Sequence, residues 1–352
     1  MQKSIKLLMG ITAMAISLYA QAYPGEAIVL DPSTGDYIIT YWDEEESASL
    51  EKGTFIPSTK INPSVQSRFR LDQKDIVSYW YKVRSDSSSR QIIGTFRFNL
   101  AQNIIGSQDW PKTNREMITE EQLAVVYDAN NAALATPNGW SGGISSRSGY
   151  RISWHPSHVP ETGIRPGSSQ EGFGFSSHAL PGVGLAQLEG ERPPRGWSGH
   201  GPTEKSAIKS ELERLEDNDF VPRNAAVPTI VVPDPFDPAV TLERIQTHMH
   251  TWIEMKLLDP AFSAQLDRYF QSAISAYRLS QPKVGKQQIQ TMRELIKKEH
   301  ADADREYEND DRVEKAGHDD KNKSALIDKL AARIMDFDLK YVAKRMGGDK
   351  DD

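Results

Sequence analysis

Three groups of residues carry types and spacings that chemistry can use. The first is Gly139-Trp140-Ser141-Gly142-Gly143, which matches G-x-S-x-G, the turn that presents a nucleophilic serine in many hydrolases. That chemistry needs Ser141 on a tight strand-to-helix turn, with a histidine and an acid brought to it. Here Pro137-Asn138 stand where a buried strand should run, and the segment after Gly143 reads as a strand instead of a helix. The motif is therefore expected to be a Trp-bearing turn, and Ser141 not a nucleophile. A second Gly-Trp-Ser-Gly begins at Gly196 in a linker-like stretch, which favours a recurring turn over a catalytic site. No catalytic and no cofactor-binding residue is assigned.

The second group is histidine. His155 and His158 share one short segment, and His248 and His250 another. A zinc site needs three or four converging ligands. On a helix His248 and His250 diverge, whereas His250 and Glu254 at i,i+4 face the same way. Two ligands do not hold a metal, so these are expected to be polar-face residues beside Met249 and Trp252.

The third group is acidic. Between Ala301 and Lys321 there are nine Asp/Glu and four Lys/Arg. Asp302, Asp304 and Glu306 alternate like the start of a calcium loop. Tyr307 replaces the glycine of the sixth position and Val313 the acid of the twelfth, so this is not an EF-hand. A solvated acidic loop is the expectation, with Asp302, Asp304 and Glu306 as candidates for low-affinity calcium.

The elements that must position these residues fall in two regions. From Glu26 to about Leu188 the pattern is strand and turn. Glu26–Trp42 reads as a hairpin around Asp31-Pro32-Ser33-Thr34-Gly35. Asp75–Val83 and Gln91–Leu100 are alternating aromatic and β-branched runs, with Thr95, Arg97 and Asn99 opposite Phe96, Phe98 and Leu100. Gln122–Asp128, Gly149–His155 and Glu171–Ser177 continue the series. Pro166-Gly167 suits a type II turn. Phe173 and Phe175 share the core face of one strand, leaving Gly172 and Gly174 for a bulge or a close approach. This excludes a phosphate-binding loop, which would open a helix. No strand is followed by an amphipathic helix, so the expected fold is an antiparallel sandwich.

Residues 189–236 read as a Pro/Gly-rich linker with one short helix, in which Ile208, Leu212 and Leu215 share a face and Thr203 is the N-cap. Four prolines between Val227 and Pro238 are expected to keep that stretch extended and out of regular pairing. From Asp237 the hydrophobic period changes to 3.6. Asp237-Pro238 and Asp259-Pro260 are helix starts. The first two helices carry Leu242, Ile245, Met249 and Trp252, then Phe262, Leu266, Phe270 and Tyr277. A third runs from about Lys286 to His300, and a fourth carries Leu326, Leu330, Ile334, Phe337 and Tyr341. The expectation is a bundle over 237–348, with the acidic loop 301–321 inside it and a disordered tail at 349–352.

Lys3 and Lys6 precede an apolar run of 13 residues, Leu7–Tyr19, and Ala20-Gln21-Ala22 matches a signal-peptidase site. A spanning helix needs about 20 residues, so residues 1–22 are expected to be a cleaved signal and the protein secreted or periplasmic. The formal charge is −7; removing two signal lysines and no acid leaves −9. That argues against nucleic acid as a partner, which needs a basic patch, and no later segment is apolar enough to span a membrane. Without cysteine there is no disulfide and no thiolate chemistry.

Tyr79–Leu100, Pro137–Trp140 and Gly163–Ser177 together resemble uncharacterised secreted bacterial proteins with an immunoglobulin-like β-sandwich. The resemblance implies an extracellular or periplasmic location and carries over no catalytic residue. The expected fold class is thus multidomain all-β plus all-α: an immunoglobulin-like antiparallel sandwich over 23–188, then a C-terminal helical bundle. The expected function is non-enzymatic binding of a protein or polysaccharide surface, with the helices for docking or assembly. The rival is a secreted hydrolase that attacks cell-wall or polysaccharide substrates through a carboxylate pair.

Overall fold

The computed structural model describes residues 24–43, 49–71, 76–100, 123–127, 133–145, 150–191, 206–216, 220–300 and 325–347. They form two compact units. The first takes the chain up to Pro57 together with the stretch ending at Asn218, and the second takes Ser58–Glu191 and Asp219 onward.

In the first unit β1 (Ala27–Leu30), β2 (Tyr37–Asp43) and β3 (Ser49–Phe55) form an antiparallel sheet in that order. Asp31 organises the β1–β2 turn: its carboxylate accepts from the Ser33 backbone and hydroxyl and from the Thr34 hydroxyl. Those hydrogen bonds hold its pKa below the usual carboxylate value. One sheet face buries Ile39, Tyr41 and Phe55 against Ile208 and Leu212 of α2 (Ala207–Glu216). The 3.6 period therefore did place the short helix, but the hairpin and this helix share a core of their own. That corrects the expectation that residues 23–188 are one sandwich and 189–236 only a linker. Thr203 lies outside the described residues.

The second unit has two five-stranded antiparallel sheets. One has the order β4 (Pro63–Leu71), β5 (Val77–Ser85), β11 (Ser169–Ser177), β8 (Ala133–Pro137), β7 (Leu123–Tyr127). The other has the order β13 (Val221–Ile230), β12 (Leu180–Gly190), β6 (Ile93–Leu100), β10 (Tyr150–Pro156), β9 (Trp140–Ser145). The sheets face each other through aromatic rings: Tyr81 lies 4.7 Å from Phe98 and Trp154 5.7 Å from Phe173, centroid to centroid. Phe173 and Phe175 enter this core together, as their spacing requires. Arg165–Ser168 forms the expected turn, with Gly167 at φ 79° and the Ser168 amide donating to Arg165 O.

The prolines did not exclude pairing. Residues 221–228 pair with β12 from Leu188↔Val221 to Pro181↔Pro228. The strand is at a sheet edge, where a missing amide costs no ladder bond. That edge is tied to β4 of the facing sheet: Arg223 Nε donates to Pro63 O and the Ala226 amide to Ser67 Oγ.

Four longer helices follow: α3 (Pro238–Glu254), α4 (Pro260–Arg278), α5 (Pro282–Glu299) and α6 (Lys329–Arg345); a single-turn α1 (Val159–Thr162) precedes β11. Asp237 and Asp259 cap α3 and α4 through two backbone amides each, with proline at the next position. Asp328 caps α6, so Leu326 lies before the helix and is 37 % exposed. The helices do not enclose a separate core. Phe337 of α6 packs edge-on against Phe69 of β4 at 5.1 Å, and Arg333 donates to Ser67 O. The buried residues of the helices and of both sheets form one continuous cluster. The expectation of an independent bundle over 237–348 is corrected accordingly. No helix among the described residues is long and apolar enough to cross a membrane.

A candidate binding trough beside Trp80

Alternation along β5 sends Val77, Tyr79, Tyr81 and Val83 into the core and Ser78, Trp80, Lys82 and Arg84 to the opposite face. A tryptophan in the outward set has no core to enter. It is seated instead by Gly174, its register partner on β11. A Cβ at Gly174 would lie 2.8 Å from Trp80 Cε3 and 3.2 Å from Cζ3, so only glycine lets the indole lie against this backbone. Two residues earlier a bulge between Glu171 and Phe173, with Gly172 at φ 98°, brings Glu171 alongside Lys82. Their ion pair is 3.0 Å long.

Across the other ladder Arg68 of β4 is the partner of Trp80, and Gln66 that of Lys82. The result is a cavity of about 440 Å³ lined by Arg68, Trp80, Tyr81, Lys82, Gln170, Glu171 and Gly172. The Tyr81 hydroxyl itself points away and donates to Ala226 O. The trough thus offers a flat aromatic ring, two cations, an amide and one carboxylate. Arg70 and Arg84 continue the cationic stripe on the same face, opposite Ser78 and Ser64. The sequence held a signal for this site, the lone tryptophan among the polar positions of a strand. What it could not show is which glycine lies beneath it.

The structure separates the other candidates. Ser141 sits in β9, opposite His155 in the ladder, and its hydroxyl donates to the His155 carbonyl at 3.2 Å. The His155 ring is turned to Thr95, with Nδ1 3.4 Å from Oγ1. Desolvation lowers the His155 pKa, and Glu189 opposes that shift. Serine and imidazole are neighbours on one sheet face without a nucleophile–base hydrogen bond, and the strand runs on past Ser141 to Ser145. His250 pairs with Asp267 on the adjacent helix at 2.8 Å, not with Glu254. His248 faces Gly182 and Thr229 of the sheet, and burial pushes its pKa down to about 4. Among the described residues no group of three His, Asp or Glu side chains could hold a metal ion. Asp302, Asp304 and Glu306 lie outside the described residues, as does the expected signal at 1–22. No protein-family model matches the sequence, and no curated protein is significantly similar to it.

Proposed function

We propose that the protein is an exported, non-enzymatic binding protein whose contact surface is the Trp80 face of sheet β4-β5-β11-β8-β7. The observation that carries this reading is the seated indole. A ring held against Gly174 and flanked by hydrogen-bonding side chains suits a polysaccharide or protein surface, where one partner face is apolar and its rim polar. The hydrolase rival needs two carboxyls about 5–10 Å apart in a cleft. Among the described residues of the trough Glu171 is the one carboxylate, and it is paired with Lys82. In the same reading the facing sheets are an immunoglobulin-like sandwich, and the helices serve docking or assembly. The exposed Leu279 and Val284 at the α4–α5 turn support the latter.

The test is co-sedimentation of the purified chain with insoluble cell-wall and plant polysaccharides, with a reducing-end assay on the same samples. Wild type should sediment with at least one of them and release no new reducing ends. Trp80→Ala should stay in the supernatant while keeping its melting temperature. Unchanged sedimentation of Trp80→Ala would remove the trough from the reading, and release of reducing ends would restore the hydrolase.

A further inference from the structure

The trough lies on a surface whose sign is opposite to that of the whole chain. Its outward positions on β4 and β5 carry Arg68, Arg70, Lys82 and Arg84. Glu171 is the single carboxylate among the described outward residues of β4, β5 and β11. The chain as a whole stands at −7. A neutral sugar would need the indole and a few polar groups, but not this concentration of cations.

The cations are also regularly placed. Residues two apart along a strand share a face and lie about 6.6–6.8 Å apart. Lys82 is therefore one such step from Trp80 along β5, and Arg68 is directly across the ladder from the ring. A carboxylate on a sugar stacked over the indole would meet a planar guanidinium on one side, a geometry that can donate to both its oxygens. The next carboxylate along a chain would meet Lys82. Lys82 already shares Glu171, so binding exchanges one carboxylate partner for another or adds a second. What draws the ligand is the sign of the field over the face, not an idle cation. An indole in the lining of an open trough favours the C–H face of a pyranose over a peptide side chain, which would seek a deep pocket.

We propose that the trough binds an acidic polysaccharide, with Trp80 beneath a sugar ring and Arg68 and Lys82 on its carboxylates. This rests on the Trp80 face being the binding surface, and the experiment separates the two claims. Binding of the full chain would be measured by calorimetry against polygalacturonate, alginate and hyaluronate, each beside its carboxyl-reduced form, and against poly-glutamate. Trp80→Ala and Arg68→Gln would be compared with wild type, their folding checked by thermal melting.

At least one acidic polymer should bind about tenfold or more tightly than its reduced form. Both variants should weaken that binding, and Arg68→Gln should leave the reduced form unaffected. Equal, Trp80-dependent binding of acidic and reduced forms would overturn the acidic class and leave the binding face standing. Poly-glutamate binding as tightly as the polyuronates would overturn the sugar in favour of an acidic protein. No binding of any polymer, or binding indifferent to Trp80→Ala, would overturn both claims.

Discussion

Asp338 on α6 is 1 % exposed, and neither carboxylate oxygen has a hydrogen-bond partner among the described residues. Two residues earlier Asp336 is also buried but receives Arg293 Nε at 2.8 Å. The same residue type thus occupies two opposite electrostatic settings on one helix. Burial pushes the Asp338 pKa well up. The folded state keeps the proton while the unfolded chain loses it near its ordinary value of 3.8. The resulting stability is complete below that value and declines as pH rises towards the folded one.

His248 acts in the other direction. Its neutral form is required in the fold, so stability is complete above 6.5 and falls as pH drops from 6.5 to about 4. Between those values the two slopes oppose each other. Asp338→Asn should therefore raise the melting temperature at pH 8 far more than at pH 4. It should also steepen the decline below pH 6.5, where the Asp338 slope no longer opposes that of His248. A pH series of thermal melts on both proteins checks this, and parallel curves would contradict it. Neither role was legible in the sequence, because His248 lies against Gly182 of β12 and Asp338 is near Tyr79 of β5, both distant along the chain.

Elements with a strong local period are legible in the sequence. The alternation in Gln91–Leu100 became β6, and the aspartate–proline pairs became the caps of α3 and α4. β12 was not foreseen. Its Pro181, Gly182 and Gly184 look like turn residues, yet they sit in a paired strand. A Cβ at Gly182 would run into His248 and Thr229, and one at Gly184 into Val227. Gly182 and Gly184 are there for close approach, a tertiary cause that leaves no local signature. Gly174 serves a close approach too, one that its alternation with Phe173 and Phe175 does announce. Gly174→Ala should cost about 1–3 kcal/mol by overpacking, since the new methyl lies 2.7 Å from Tyr79 O and 2.8 Å from the indole. Tryptophan emission should shift as Trp80 is lifted. Chemical denaturation and fluorescence on the variant measure both, and wild-type values in each would show that the indole is not seated on that backbone.

At the scale of the whole molecule the change of period at Asp237 marked a change of secondary structure, not the border of a folding unit. The first unit has a small core of its own, so Phe55→Ala, worth about 3–5 kcal/mol, should unfold it. Exchange protection should then vanish from β1–β3 and α2 while the amides of β5 and β12 stay protected. The second unit is built from two stretches of chain that need each other. Residues 221–228 hydrogen-bond along β12, Arg223 and Ala226 tie that edge to β4, and Phe337 and Arg333 of α6 lie on Phe69 and Ser67. The stretch between Arg192 and Lys205 is rich in proline, glycine and basic residues and offers trypsin its sites. A cut there should leave two fragments that run apart on a denaturing gel but elute together, with native helix content, from a sizing column. Adding urea should separate them only at the concentration that melts the sheets. A C-terminal fragment that leaves the column alone and still helical would mean that α3–α6 hold themselves together without the strands.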